Sequence, residues 1–336
     1  MIVGIIGTCC AGKRTLSKIL VEEHSFHESV KYETDCSAVE KWVEQGWKKD
    51  CFIVVILNCW QQLTLLRKRP FFLLVSIDAP LLLRFKRALK VLCCDSLESF
   101  VKEHDQQLFD VSFCNYGKHK LNKTDQHWEL STLGSSMHSA DIQIFNDDSL
   151  EVLRNKINSI GIANPERLRP SWNIYFIRIA YLAATRSNCM KRRVGALVVR
   201  DNRIVSTGYN GTPIGTTNCN ESGCLRCNSL ANAGRYLDEC LCLHAEENAI
   251  IEAGRERCKH ATLYSNVFPC LSCAKKIVQA GISKVVYHSE YSIDIAAKKL
   301  FHAANIEVVQ ILDENLTGLL DGLSLQSSSL QRNKMH

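Results

Sequence analysis

One imidazole and two thiols constrain this chain more than any other feature: His244-Ala245-Glu246, followed by Pro269-Cys270-Leu271-Ser272-Cys273. Histidine nitrogen and cysteine sulfur are the preferred ligands of Zn2+, which favours four ligands in a tetrahedron. Three protein ligands leave the fourth position to water, and an open position distinguishes a catalytic zinc from a structural one. A Cys-x-x-Cys pair at a helix start turns both sulfurs to one side, where the positive end of the helix dipole favours thiolates. The pattern predicts one helix opening near His244 and another at Cys270. Two adjacent helix starts can then enclose one metal, and Glu246 lies close enough to exchange protons with the water without occupying the metal. A purely structural zinc would need a fourth protein ligand and would have no use for Glu246.

The chain has 336 residues, which suits two domains. Its charge of 41 − 35 = +6 suits an anionic small molecule and is too mild to argue for nucleic acid. The opening run from Met1 to Gly7 is apolar but short and has no basic region before it, so it does not read as a secretory signal. No window reaches the roughly 18 apolar residues needed to cross a bilayer. The expected location is therefore cytoplasmic, with the nucleus not excluded. The 17 cysteines are expected to be thiols or metal ligands rather than disulfides.

In the first half, apolar runs at 2–6, 52–57, 71–77 and 142–145 alternate with helical stretches ending near Glu23 and at 80–92 and 150–160. This grammar predicts a parallel sheet covered on both faces. Between the first strand and helix lies Gly7-Thr8-Cys9-Cys10-Ala11-Gly12-Lys13-Arg14-Thr15, which meets the phosphate-loop pattern at Gly7, Gly12 and Lys13. Arg14 stands where the magnesium-binding hydroxyl belongs, Thr15 comes one position late, and no acidic residue closes the run 52–57. Gly12, Lys13 and Thr15 are the candidate phosphate-binding residues. The segment 114–139, rich in Lys, Asn, His and Ser, is expected to be a mobile insertion. Asn164-Pro165 and Arg169-Pro170 mark a linker. The expected organisation is a first domain over 1–162, a second over 163–322, and a disordered tail over 323–336.

The second half predicts a helix at 172–184, strands at 194–199 and 204–208, then a cysteine-rich loop. Further strands at 261–265, 284–287 and 306–311 alternate with helices from His244, from Cys270 and over 293–304. Five strands with helices on both faces form an α/β sandwich. The loop carries Cys219, Cys224, Cys227, Cys240 and Cys242, and Cys224-Leu225-Arg226-Cys227 has the gap of a zinc knuckle, with Gly223 permitting the turn. The expected ligands of a second zinc are Cys219, Cys224, Cys227 and Cys242, with Cys189 and Cys240 as substitutes; the alternative is a set of unligated thiols.

The motif His-x-Glu followed by Pro-Cys-x-x-Cys resembles the signature of the zinc-dependent nucleobase deaminases. The stretches Ser187-Asn188-Cys189-Met190-Lys191-Arg192-Arg193-Val194-Gly195-Ala196, Thr207-Gly208-Tyr209-Asn210-Gly211-Thr212-Pro213 and Leu243-His244-Ala245-Glu246-Glu247-Asn248-Ala249-Ile250 extend the likeness, through most of 170–312, to the deoxycytidylate deaminase family. The resemblance implies a cytidine-deaminase-like sandwich with a five-stranded mixed sheet and a zinc on His244, Cys270 and Cys273. It also implies hydrolysis of dCMP to dUMP and ammonia by an activated hydroxide with Glu246 moving the protons, which supplies dUMP for thymidylate synthesis. It further implies a homo-oligomer regulated allosterically by dCTP and dTTP, with Mg2+ accompanying the effector, and no stable nucleic acid or membrane partner. Family members with a similar loop carry a structural zinc.

The residues themselves support a glycine-flanked loop at 209–212 whose backbone can approach a nucleotide, with Asn210, Gly211 and Ala245 as candidate substrate contacts. A plain Asn-Gly turn is the alternative. Arg186, Lys191, Arg192 and Arg193 lie near the expected pocket, and the choice of phosphate partner among them stays open. The two-residue gap between Cys270 and Cys273 argues against pterin and riboflavin-pathway deaminases. It does not exclude tRNA adenosine deaminases, against which the 209–212 loop and the mild charge argue. The stretches 72–80, with Arg84 and Arg87 beyond, and 140–147 resemble nucleotide and dephospho-coenzyme A kinases. The whole layout resembles fungal deoxycytidylate deaminases with a kinase-like segment ahead of the deaminase. Departures at the metal site favour a degenerate kinase fold acting as a structural or nucleotide-sensing module. The competing functions are a phosphotransferase acting through the phosphate loop and a nucleic-acid editing deaminase.

Overall fold

Every residue of strand β1 (Ile2–Gly7) is buried, as expected of a strand covered on both faces. The computed structural model describes residues 1–28, 52–57, 60–91, 95–109, 132–229, 239–290 and 295–312. The chain divides into two compact units, Met1–Arg169 and Pro170–His336. The expected tail at 323–336 lies outside the described residues. No described helix is long and apolar enough to cross a membrane.

In the first unit β1 is followed by α1 (Lys13–His24), β2 (His27–Glu28), β3 (Ile53–Ile56), α2 (Trp60–Arg67), β4 (Phe72–Asp78), α3 (Leu81–Lys90), α4 (Leu97–Phe109), α5 (Leu133–His138), β5 (Ile142–Phe145) and α6 (Leu150–Ile160). The strands form one parallel sheet in the order β2-β3-β1-β4-β5. Side-chain alternation along β1 sends Val3 and Ile5 into a core with α1 and α6, and Ile2 and Ile6 into a second core with α2 and α5. The chain leaves β1 toward β3 and later crosses to β4. The carboxyl end of β1 is thus a topological switch point, where open α/β sheets hold ligands. Part of the expected insertion at 114–139 is ordered: 133–138 is helix α5, with Leu133 and Ser136 buried and Thr132 capping Ser135 N–H at 3.1 Å. Gly134 permits this packing, because a Cβ there would lie 2.9 Å from the Leu108 carbonyl oxygen. The rest of that insertion, up to residue 131, lies outside the described residues.

The second unit contains α7 (Trp172–Ala184), β6 (Gly195–Arg200), β7 (Arg203–Tyr209), the short α8 (Leu225–Asn228), α9 (Ala245–Ala253), α10 (Arg255–Cys258), β8 (Thr262–Val267), α11 (Leu271–Gln279), β9 (Lys284–Ser289), α12 (Ile295–Ala303) and β10 (Glu307–Gln310). Its sheet runs β10-β9-β8-β6-β7 and is mixed: β6 is antiparallel to β7 and β8, while β8, β9 and β10 are parallel. Ala196 and Val198 face α9, α11 and α12, whereas Leu197 and Val199 face α7, so the strand separates two apolar cores. Two glycines at one end of the sheet let helices approach from opposite faces. A Cβ on Gly195 would fall 2.0 Å from the Ala180 oxygen of α7, and one on Gly208 would fall 2.1 Å from the Ala245 oxygen of α9. Close helix–strand contact fixes the height of each helix over the sheet, and α9 is the helix that begins at His244.

Candidate active site

The tight seat of α9 on β7 carries its first turn to the start of α11. His244 caps α9 and Cys270 caps α11, both in extended backbone. His244 Nδ1 lies 3.3 Å from Cys273 Sγ and 3.5 Å from Cys270 Sγ, and the three atoms form a group with metal-binding spacing. Tetrahedral zinc with its usual N and S bond lengths has N···S edges of about 3.5 Å, so the three residues fit the ion without rearrangement. His244 is exposed while Cys273 is buried, which leaves the open side of the site toward solvent.

Glu246 is only 4 % exposed and sits in the first turn of α9. Burial pushes its carboxyl pKa up, against opposing pulls from its own backbone N–H and from His244. The hydrogen bond from Cys273 lowers Cys270 to about 4. Cys273 is held well above the usual thiol value by that same partner and by burial. The Cys270 partner also raises His244. Two sulfurs and one imidazole thus share protons in a small space, the condition a divalent cation relieves. Across the two helix starts, Lys276 of α11 meets Glu247 of α9 at 2.6 Å.

The loop after β7 is fastened to this centre. Gly211 exchanges two backbone hydrogen bonds with Leu243, at 3.2 and 2.9 Å, immediately before the imidazole. A Cβ on Gly211 would lie 2.6 Å from Asn188 Oδ1. Asn210 differs from the sequence expectation of an amide turned to a ligand. Its Oδ1 accepts from Val194 N–H at 2.8 Å and from Ser187 Oγ at 2.7 Å, and its Nδ2 donates to the Arg192 carbonyl at 2.8 Å. It braces the turn 187–194. Asn266 does the same from β8, accepting Gly195 N–H at 3.0 Å. Ala245 is fully buried against Gly208. Of the four basic residues near the pocket, Lys191 is tied to the Ser229 carbonyl at 2.7 Å. Sequence reading missed Ser187, Asn266 and the Gly208 contact; only the small size of Gly208 signals the last. It also missed two buried oxygens beside this loop, Asn188 Oδ1 and Thr212 Oγ1, which have no hydrogen-bond partner among the described residues.

The thiols expected for a second zinc do not form one set. Cys219 groups with Cys189, Cys227 and Cys242, while Cys224 groups with Cys227, Cys240 and Cys242. Gly223 is required by close approach, since its Cβ would lie 1.9 Å from the Thr217 oxygen, and the left-handed residue of the turn is Ser222 at φ 71°.

In the first unit, the loop between β1 and α1 lines a cavity of about 800 Å³ together with Arg87, Asn146 and Asp148. Lys13 Nζ donates to the Gly7 and Thr8 carbonyls at 2.7 and 2.9 Å. Gly12, at φ 112°, leaves room for Asn146 Nδ2, which donates to the Ala11 carbonyl at 2.8 Å. Thr15 lines the cavity from α1. The acid sought at the end of 52–57 has a counterpart two strands over, on the other side of β1: Asp78, closing β4, accepts from Thr8 Oγ1 at 2.6 Å.

Residues 170–289 match the family described as the cytidine and deoxycytidylate deaminase zinc-binding region. The chain is similar to the deoxycytidylate deaminase of Schizosaccharomyces pombe, 40% identical over 331 residues that cover 92% of this chain and 97% of that one. It is similar also to the deoxycytidylate deaminase of Saccharomyces cerevisiae, 38% identical over 92% of this chain and 96% of that one. Among solved structures, the dCMP deaminase of cyanophage S-TIM5 in complex with dCMP and dUMP is 33% identical over 41% of this chain and 94% of that one, at a TM-score of 0.34. The likeness to the two yeast proteins spans both units and the ligand-bearing segment together, and the chain belongs to the deoxycytidylate deaminase family of zinc-dependent hydrolases.

Proposed function

We propose that the second unit hydrolyses dCMP to dUMP and ammonia, with His244, Cys270 and Cys273 holding the zinc and Glu246 carrying the protons. The observation behind this reading is a nearly fully buried carboxyl two residues from the imidazole of a three-ligand site. When bound, the zinc acts as a Lewis acid that makes water a nucleophile near neutral pH. Glu246 takes one proton from the water that adds to C4 of the cytosine ring and passes it to the ring nitrogen. It then takes the remaining proton from the hydroxyl now on C4 and delivers it to the departing amine; the C4–N bond breaks as the carbonyl forms, so that dCMP and water become dUMP and ammonia. Burial of Glu246 favours its protonated form in water-poor surroundings, which suits a group that must donate as well as accept near neutrality.

Ammonia release from dCMP, deoxycytidine and CMP, measured beside zinc content in the intact protein and in Glu246→Ala, tests the reading. The expected variant keeps its zinc and loses about 10²–10⁴-fold in kcat. A variant that keeps both zinc and turnover would remove Glu246 from the chemistry.

The first unit supports a nucleotide-sensing role. Gly12, Lys13 and Thr15 would receive the phosphates of a dCTP- or dTTP-type effector with its Mg2+. The cavity at the switch point of the sheet carries Lys13, Arg14 and Arg87, and Arg87 Nη1 is buried with no hydrogen-bond partner among the described residues. Lys13→Ala is expected to leave basal deamination intact and abolish the response to added nucleotide, read as dCMP saturation curves with and without effector. Loss of nucleotide turnover without loss of regulation would favour the phosphotransferase reading instead.

A further inference from the structure

We propose that the cysteines between α7 and α9 hold two metal ions rather than one, in a six-thiolate cluster bridged by Cys227 and Cys242. The two quartets, Cys189-Cys219-Cys227-Cys242 and Cys224-Cys227-Cys240-Cys242, each have metal-binding spacing and share two members. Two separate tetrahedra would need eight sulfurs, whereas two tetrahedra with a common edge need six, and six converge here. Zinc–sulfur bonds of about 2.3 Å give tetrahedral S···S edges of about 3.8 Å. The edges seen are 3.8 Å for Cys189–Cys227, 3.9 Å for Cys224–Cys240, 3.6 Å for Cys227–Cys240 and 3.9 Å for the shared Cys227–Cys242. A disulfide would bring its sulfurs to about 2.05 Å, so these are not bonded pairs.

Packing alone does not account for the convergence. The buried cluster consists of cysteines only: Cys219, Cys224, Cys227 and Cys242, with Cys189 and Cys240 against them. Meanwhile two large apolar side chains described beside these cysteines point outward, Leu225 at 83% and Leu241 at 57% exposed. Among its described residues, a segment with a sulfur interior and two outward leucines shows no apolar core to order it, and a metal centre supplies that stability in small modules. A single ion would leave two of the six thiols without a task. Two Zn2+ on six thiolates leave a net charge of −2. Donors already face that charge: Met190 N–H points at Cys219 Sγ at 3.5 Å, backbone N–H groups of Lys191 and Arg192 at Cys189, and the Arg226 side chain at Cys227 and Cys240.

Metal analysis of the full-length holoenzyme decides the matter. The bridged cluster gives three zinc ions per chain, one in the three-ligand site and two here. Two ions per chain would overturn it in favour of a mononuclear site, and one ion would mean unligated thiols. Cys273→Ser, which touches only the three-ligand site, is expected to keep two ions. Cys227→Ser is expected to lose both cluster ions together, whereas Cys189→Ser leaves the Cys224 quartet its ion. Should Cys227→Ser not fold, the cadmium-exchanged wild-type protein still answers. Two cadmium-113 resonances in the all-thiolate range support the cluster, and a single one overturns it.

Discussion

The two cysteine-bearing centres of the second unit are built on opposite logic. At the three-ligand site a preformed scaffold brings the ligands together: β7 and α9 meet at Gly208, α11 lies alongside, and the ligands are merely what stands at the helix starts. At the six-thiol cluster the ligands are themselves the interior of their segment. Emptied of metal, the first centre is expected to remain part of a folded α/β sandwich, because Ala249, Ala274, Ile277 and Phe301 pack in an apolar core of their own. The second shows no such reserve among its described residues. A catalytic ligand set borrows its geometry from the fold, whereas a structural one provides it.

Gly208→Ala should give the largest effect that separates the two. The added carbon would sit 2.1 Å from the Ala245 oxygen and 2.5 Å from Ala249 N, so α9 must shift, at a cost of about 1–3 kcal/mol. The expected variant unfolds several degrees lower and binds zinc more weakly at His244, while the metal count of the thiol cluster is unchanged. Calorimetry with metal analysis checks this, and an unaltered melting point with wild-type zinc would mean that the close approach is not what seats the helix.

That contact lies beyond sequence reading for a plain reason: a glycine in a strand signals that something comes near but not what. Ligand spacing is different, because His244, Cys270 and Cys273 sit at helix starts whose positions follow from local pattern. The helices 172–184 and 150–160 and the strand 142–145 are legible to the residue for the same reason. Helices α2 and α4 escaped, since their apolar periodicity is diluted by polar residues such as Gln61, Gln62, Glu98 and Glu103. The pairing of the thiols was hidden because Cys189 reaches the cluster through the turn 187–194, which Asn210 braces from far along the chain.

Acidification should distinguish the centres next. Zinc binding displaces protons, so affinity falls as pH falls, more steeply where more protons are displaced. Cys270, lowered to about 4, is already a thiolate at neutral pH, leaving protons on Cys273 and on part of the His244 population to be expelled. His244 is raised above 6.5, so proton competition there begins at a higher pH than for a free imidazole. In the cluster Cys224 stands at about 7, while Cys227 and Cys242 are raised by burial. Titrating zinc release downward from pH 8, the cluster ions are expected to leave first and over a narrower range. Loss of the single ion of the three-ligand site ahead of the others would reverse the comparison.

The smallest effect belongs to Lys276→Ala. Its ion pair with Glu247 links the two ligand-bearing helices, but the lysine is 41% and the glutamate 21% exposed, so the pair is worth about 0.2–1 kcal/mol. A slight drop in melting temperature that disappears in high salt is expected, with zinc affinity unaffected. A marked loss of zinc would instead make this pair a positioning contact for the site.

Cys242, Leu243 and His244 are consecutive, and the middle one is clipped to Gly211 by two hydrogen bonds. Three neighbouring residues therefore answer to three masters: the thiol cluster, the 209–212 loop and the three-ligand site. A backbone so short and so pinned has little slack, so a displacement at Cys242 would be passed on to the imidazole that the helix start holds. If the loop holds metal as proposed, losing it is then expected to register at the three-ligand site as well, carried over by two peptide units rather than through the sheet.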